Sequence, residues 1–156
     1  MPSPPQRNAY AGLVSRVVAL LIDVALLTLT ALAISTLPEL AWQEVLVRAV
    51  PGWFSAGVTA AAALVPWAYF AACWWLNGQT IGDLLIGVVV LRSDGQELSF
   101  PHAAARSLAG LLLAPLWLLG LFAVLWDERR RAWHDRIFRT VVRYTVKARA
   151  TRSQPA

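Results

Sequence analysis

Asp23 and Arg16 are the residues whose chemistry is hardest to set aside. They are the only charged residues in an apolar stretch spanning residues 13–37. Seven positions separate them, two helical turns, so both side chains fall on one helix face. At about 1.5 Å per residue the stretch is long enough to cross a bilayer, which sets Asp23 within the hydrocarbon. An ionisable group at that depth costs roughly 2.5–3.5 kcal/mol on insertion scales and marks a polar site by default. Two uses fit. Asp23 could serve an ion or a proton, since burial and a neighbouring guanidinium pull a carboxyl's ionisation in opposite directions. Alternatively it pairs with Arg16 or Arg106 and pins two helices together. Arg106 is an apt partner because it opens a third hydrophobic stretch and its long side chain can reach inward.

Other chemistry-bearing residues point elsewhere. His102 and His134 are far apart, and no Cys or Glu completes a ligand pattern with them, so no metal is expected. Neither a nucleophilic serine motif, a phosphate loop nor a dinucleotide fingerprint is present, so neither enzyme activity nor a cofactor is expected. Cys73 is the single cysteine, which excludes an intrachain disulfide. Asp135 lies among Arg129, Arg130, Arg131, Arg136 and Arg139. It could gate a cytoplasmic mouth; local neutralisation by those arginines is the simpler expectation.

The elements that must position these groups follow from composition. Of 156 residues 58% are hydrophobic and 15% charged, against about 25% charged in soluble domains, which places the chain in the membrane class. The expected fold is an all-α membrane protein with two transmembrane helices, a third proline-broken segment and a small cytoplasmic β-hairpin. The segments cover about residues 13–37, 53–76 and 103–126. Residues 1–9 are Pro-rich and expected to be disordered. Residues 38–52 form a connection whose centre (Trp42, Val45, Leu46, Ala49) suits a short surface helix. Pro66 is expected to kink the second segment and Pro115 divides the third. After Asn77-Gly78, the residues Ile81, Leu84, Leu85 and Val88 give one apolar face to a short amphipathic helix. Residues 88–91 and 96–100 around Asp94-Gly95 read as a hairpin with a type I′ turn, for which Thr140-Val141-Val142 could supply a third strand.

Charge sets the orientation. The net charge is +5, and residues 127–156 hold nine basic residues against three acids. No recognition motif for nucleic acid accompanies them. Directly after a hydrophobic segment they read as a flank facing anionic lipid, with residues 144–156 as a basic tail. The connection at 38–52 has one basic and two acidic residues and best faces outward, so the N-terminus lies in the cytoplasm. Three full crossings would put the basic tail outside. A third segment that turns near Pro115 and returns to the cytoplasmic side resolves this, and it is preferred over a full crossing.

An ordered set of short motifs carries a family resemblance. Arg16 and Asp23 are followed by Gly78-Gln79-Thr80-Ile81-Gly82, then Gly87-Val88-Val89-Val90 with Asp94-Gly95, then Arg106, then Arg131-Ala132-Trp133-His134-Asp135-Arg136 with Thr140-Val141-Val142. Over about residues 10–143 the chain resembles the RDD family of small bacterial membrane proteins, named for an Arg and two Asp. Arg16 and Asp23 match the first two name residues and Asp135 looks like the third. The family's Gly-x-Thr-x-Gly motif is typically followed by Lys, where this chain has Asp83. The resemblance implies an inner-membrane location, with Arg16, Asp23 and Arg106 as an intramembrane polar site and Gly78, Thr80, Gly82, His134 and Asp135 as a cytoplasmic motif. It carries transport as one suggestion. Two functions are therefore expected: ion or small-solute transport by a homo-oligomer through the Asp/Arg site, or a non-catalytic accessory role in a larger membrane complex.

Overall fold

The computed structural model describes residues 9–42 and 52–145. Helix α1 covers Leu13–Trp42, α2 Gly52–Ala63, α3 Val65–Leu76, α4 Ile81–Ile86, α5 Phe100–Leu112, α6 Ala114–Leu121 and α7 Trp133–Ile137; strand β1 covers Val88–Arg92 and β2 Thr140–Tyr144. A short 3-10 turn, Phe122–Leu125, extends α6. Residues 1–8 of the expected disordered N-terminus, nearly all of the surface helix around residues 42–49 and the tail beyond Thr145 lie outside the described residues, while Ala9 is described and buried.

Among the described residues two helical spans are long and apolar enough to cross a membrane: Leu13–Ile34 and Ala56–Leu76. Helix α1 continues through Pro38 to Trp42, past the expected end at residue 37. Membrane helices tolerate such a proline because neighbouring groups re-satisfy the freed backbone. The second span is α2 and α3 joined at Leu64, just before Pro66, which cannot donate a helical hydrogen bond. Many large apolar side chains along these helices face outward, Leu29, Leu32, Ile34, Trp53 and Val58 among them, as lipid contact requires.

The third apolar stretch is the bent pair α5 and α6, which meet at 97° around Leu113 and Pro115. Each of its ends packs against another helix. At the start, Phe100 packs edge-on against Trp75 at the end of α3, with ring centroids 5.3 Å apart. At the finish, Leu121 and Val124 pack with Ala132 and with Leu13 and Val17 at the start of α1.

The sheet differs from the expected local hairpin. Strand β1 pairs antiparallel with β2, from Val88 opposite Tyr144 to Arg92 opposite Thr140. Asp94-Gly95 does make a turn, in which the Arg92 amide donates to the Gln96 carbonyl at 2.8 Å. Gly95 has a φ of +86° but Asp94 stays outside the left-handed region, so the turn is not type I′, and residues 96–100 form no strand. The reason is side-chain burial. Residues 140–142 offer a buried β-branched run, whereas Gln96 and Glu97 are polar and Pro101 already opens α5. The N-terminal segment joins through a bridge between Tyr10 and Arg143 and a hydrogen bond from the Ala11 amide to the Val142 carbonyl at 2.9 Å. Val88, Val90 and Val142 share a core with Ala11, Trp74, Leu98 and Ala103. This packing sustains a two-stranded sheet that would be marginal alone.

Candidate functional site

Two buried polar clusters stand at the end of the helices nearest the sheet. The first surrounds Asp23, which is 2% exposed. Its Oδ1 accepts hydrogen bonds from the Tyr69 hydroxyl at 2.7 Å and the Gly82 amide at 2.8 Å. Its Oδ2 accepts from the Thr80 hydroxyl at 2.6 Å. The carboxylate thus sits at the N-terminus of α4, where backbone N–H groups lack helical partners and the helix dipole favours negative charge. The neighbouring donors are met as well. The Ile81 amide donates to the Tyr69 oxygen at 3.0 Å and the Asp83 amide to Thr80 Oγ1 at 3.0 Å. Asp83 closes a capping box by accepting from the Thr80 amide at 3.2 Å, and it also accepts from Trp74 Nε1 at 3.3 Å. A residue that departs from the family's usual Lys is therefore built into the helix cap. Burial pushes the Asp83 carboxyl up, and the negative charge of Asp23 adds to that, against the Thr80 and Trp74 hydrogen bonds.

The glycines of Gly-x-Thr-x-Gly have a steric cause. A Cβ on Gly82 would lie 2.1 Å from the Ala19 carbonyl oxygen and 2.9 Å from Asp23 Cγ, so only glycine lets α4 rest against α1. Gly78 has a φ of +67°, and a Cβ there would meet the Val90 carbonyl oxygen at 2.9 Å. On α4 the glycine face packs inward, and the apolar side chains Ile81, Leu84 and Leu85 are exposed.

The second cluster surrounds Asp135, which is fully buried. Arg16 Nη1 pairs with its Oδ2 and Arg106 Nη2 with its Oδ1, the latter at 2.8 Å. The Ala132 amide donates to Oδ2 at 3.1 Å and the Thr140 hydroxyl to Oδ1 at 3.2 Å. Arg106 Nη1 donates to Thr140 Oγ1 at 2.6 Å, and its guanidinium lies 4.9 Å above the Trp74 ring. Arg16 Nη2 donates to the Arg130 carbonyl at 2.6 Å. The knot ties together α1, α5, α7 and β2. Burial opposes ionisation of Asp135, but the two guanidiniums outweigh it and hold the carboxyl well below the usual carboxylate range. His134, also buried, is pushed down to about 3, mainly by desolvation, with Asp135 opposing and Arg106 and Arg16 adding to the shift. It is neutral near pH 7.

These contacts correct three expectations. Asp23 pairs with neither Arg16 nor Arg106; hydroxyl and amide donors stabilise it, and both arginines go to Asp135. Asp135 is not neutralised by the arginines beside it in sequence, because α7 turns it inward, away from them. The acid that does that work is Asp127: Arg131 Nε lies 3.1 Å from its Oδ2 and Arg136 Nη2 2.8 Å from its Oδ1. Burial raises the Asp127 carboxyl, but these partners outweigh it and hold it down to about 2. Of the arginines expected to face lipid, Arg130 turns back to donate to the Tyr10 carbonyl at 3.2 Å, and Arg131 and Arg136 are engaged with Asp127. Arg129, Arg136 and Arg139 are exposed.

The residues of the proposed polar site are nevertheless neighbours of one space. Arg16, Asp23, Asp83 and Arg106, with Thr80 and His134, line a cavity of ≈ 450 Å³ between α1, α3, α5 and α6. Leu20, Leu27, Trp67, Phe70, Leu111 and Leu118 are among its apolar lining residues. Tyr69 takes part in the Asp23 cluster and was not singled out from sequence; Thr140, expected only as a strand residue, takes part in the Asp135 cluster. Tyr69 could have been noticed as a lone hydroxyl-bearing aromatic within the second apolar segment.

The chain matches no curated protein and no solved structure. The family comparison does give a match, over residues 10–139, a span that contains both polar clusters. With its two membrane-length apolar helices, the chain is a membrane protein that belongs to the RDD family.

Proposed function

We propose that this protein takes part in moving a small solute across the bacterial inner membrane, as an oligomer, through the cavity between α1, α3, α5 and α6. The observation that carries the reading is the cavity, mostly apolar in its lining with a few polar groups, Arg16, Asp23, Thr80 and Arg106 among them. Small-molecule sites have this form: concave, mostly apolar, with a few convergent polar groups. The apolar walls favour a small solute over a bare ion, whose passage needs oxygen ligands or water. Asp23 contributes by fixing α4 against α1, so that Thr80 and the arginines keep their places in the lining.

Exposed Arg129, Arg136 and Arg139 and exposed Trp126 and Trp133 favour a cytoplasmic, lipid-facing position for the end that carries the sheet. The return of α5 and α6 toward the start of α1 supports a re-entrant third segment, with two full crossings and both ends of the described chain in the cytoplasm. Two crossings do not enclose a path alone, so a second copy is needed. The exposed Leu29, Leu32 and Ile34 of α1 offer it a surface.

One observation favours the accessory reading. Asp23 already accepts three hydrogen bonds out of about four that a carboxylate can take, as a helix clamp would. Transport measurements separate the two. Purified protein in vesicles is assayed for uptake of sodium, glutamate and dodecyl phosphate, with Ala114→Phe, a cavity-lining change, as the control. Uptake of at least one probe above protein-free vesicles, reduced at least tenfold by Ala114→Phe, is the expected result. Uptake of none, or uptake indifferent to Ala114→Phe, overturns the reading in favour of the accessory role.

A further inference from the structure

Helix α4 lies alongside the first span, not beyond its end. Gly82 rests on the Ala19 carbonyl, and the Gly82 amide and Thr80 hydroxyl reach Asp23. Ala19 and Asp23 are six and ten residues past Leu13, about 9 and 15 Å along α1 at 1.5 Å per residue. The polar border of that span is at its start. There the Ala11 amide joins the sheet, Arg130 donates to the Tyr10 carbonyl, and Arg129 is exposed. From Leu13 to Asp23 the exposed residues of α1 are Val14, Val18 and Leu21, all apolar, and both charged residues are buried. A surface of that kind meets hydrocarbon, and α4 shares its depth.

Helix α4 meets both demands of such a depth. Its exposed residues are Ile81, Leu84 and Leu85, 43, 63 and 67% accessible, and they would lie bare in water. Its start leaves no amide to solvent. The first four N–H groups of a helix lack helical partners, and here each has a protein acceptor. The Thr80 amide donates to Asp83, that of Ile81 to the Tyr69 oxygen, that of Gly82 to Asp23 and that of Asp83 to Thr80 Oγ1. At the other end the Gly87 amide donates to the Leu84 carbonyl, and the Gly87 carbonyl accepts from the Thr145 amide. Water could satisfy these groups outside a membrane; in hydrocarbon only the protein can.

We propose that α4 is a re-entrant helix set within the leaflet on the sheet side of the membrane, with Ile81, Leu84 and Leu85 against acyl chains. Lipid is the occupant because apolar exposure continues on the two spans that α4 touches, at Val18 and Leu21 of α1 and at Leu76 of α3. The helix thereby keeps a carboxylate at that depth. It shields Asp23 from lipid and, with its cap, supplies two of the three donors. The placement is independent of whether the cavity carries a solute.

Spin-label accessibility measures the depth. In a Cys73→Ala background of the full-length protein, single nitroxides are attached at Leu84→Cys and Leu85→Cys. Val58→Cys, on the lipid-facing second span, and Ser93→Cys, exposed after β1, are the references. The protein is held in nanodiscs of phosphatidylcholine and phosphatidylglycerol, with oxygen as the apolar relaxing agent and a nickel chelate as the polar one. Expected at both α4 sites is an oxygen-to-nickel ratio at least threefold above that at Ser93→Cys, with oxygen access at least half that at Val58→Cys. A smaller ratio places α4 in water, and lower oxygen access marks protein cover such as a second copy; either overturns the proposal. Wild-type protein gives a readout free of substitution. Photolysed in the same discs with a phosphatidylcholine that carries a diazirine in its acyl chain, it should form adducts within residues 81–85 as well as 56–63. Adducts on the second stretch alone overturn the proposal.

Discussion

Replacing Asp135 by Asn should be among the most damaging isosteric changes in this chain. In the native protein two buried guanidiniums and one buried carboxylate sum to a single positive charge. The amide keeps the shape but raises that sum to two and leaves Arg106, 3% exposed, without its ionic partner. Breaking one buried pair by removing a partner costs about 3–5 kcal/mol, and here one substitution breaks two, so a loss near the upper end, about 4–5 kcal/mol, is expected. Unfolding in nanodiscs, followed by circular dichroism, measures it. A double-mutant cycle then tests the cause. Adding Arg16→Gln to Asp135→Asn returns the buried charge to one, so the double variant should lose less than the sum of the singles by on the order of 1–3 kcal/mol. The cycle of Arg16→Gln with Asp23→Asn should be additive to within about 0.5 kcal/mol, because these residues do not pair. A loss below about 1 kcal/mol for Asp135→Asn, or coupling between Arg16 and Asp23 in place of Asp135, refutes the charge argument.

Three further outcomes follow. Gly82→Ala puts a methyl group 2.1 Å from the Ala19 carbonyl oxygen and must lift α4 from α1, with a loss above about 3 kcal/mol or no folded protein; Gly120→Ala, whose Cβ would meet Trp133 Cβ at 3.3 Å, should cost about 1 kcal/mol or less. Similar melting of the two variants would contradict this. His134 stays neutral in the fold down to about pH 3, whereas the unfolded chain protonates near 6.5. Its contribution is therefore complete above pH 6.5 and is lost as pH falls from there toward 3, by at most about 1.4 kcal/mol per unit; Asp127, held down to about 2 from 3.8, acts only below that upper window. The slope of stability between pH 6.5 and 4.5 should shrink in His134→Gln, and an unchanged slope counts against the buried neutral imidazole. In a Cys73→Ala background, cysteines at Ser93 and Arg139 should react with a membrane-impermeant maleimide from the cytoplasmic side and one at Val58 from the other or not at all; labelling of Arg139→Cys from outside would replace the re-entrant segment by a full crossing.

What could be read in the sequence was what a local stretch determines. Length and apolar content fixed the two spans, and the cost of ionisable groups in hydrocarbon marked Arg16 and Asp23 as special. Pairing was not legible, because partners are chosen by tertiary distance. Asp135 lies 119 positions from Arg16 yet touches it, while Arg136 beside it in sequence turns away to Asp127. The hairpin expectation failed for the same reason. A strong turn at Asp94-Gly95 is present, but the buried strand at residues 140–144 outcompetes the nearby polar one for β1. The Gly-x-Thr-x-Gly motif was visible as a resemblance. Its cause, a close approach of α4 to α1 that also delivers the Gly82 amide to Asp23, emerges only in three dimensions.

The most direct test of the account is the mass and composition of the complex that the protein forms in native nanodiscs. A homo-oligomer free of other subunits is the predicted result, since under the proposed topology of two crossings a second copy is needed to make a path. A stoichiometric, unrelated partner bound to a single copy would contradict transport by this chain and turn Asp23 and Asp135 into clamps of an accessory subunit.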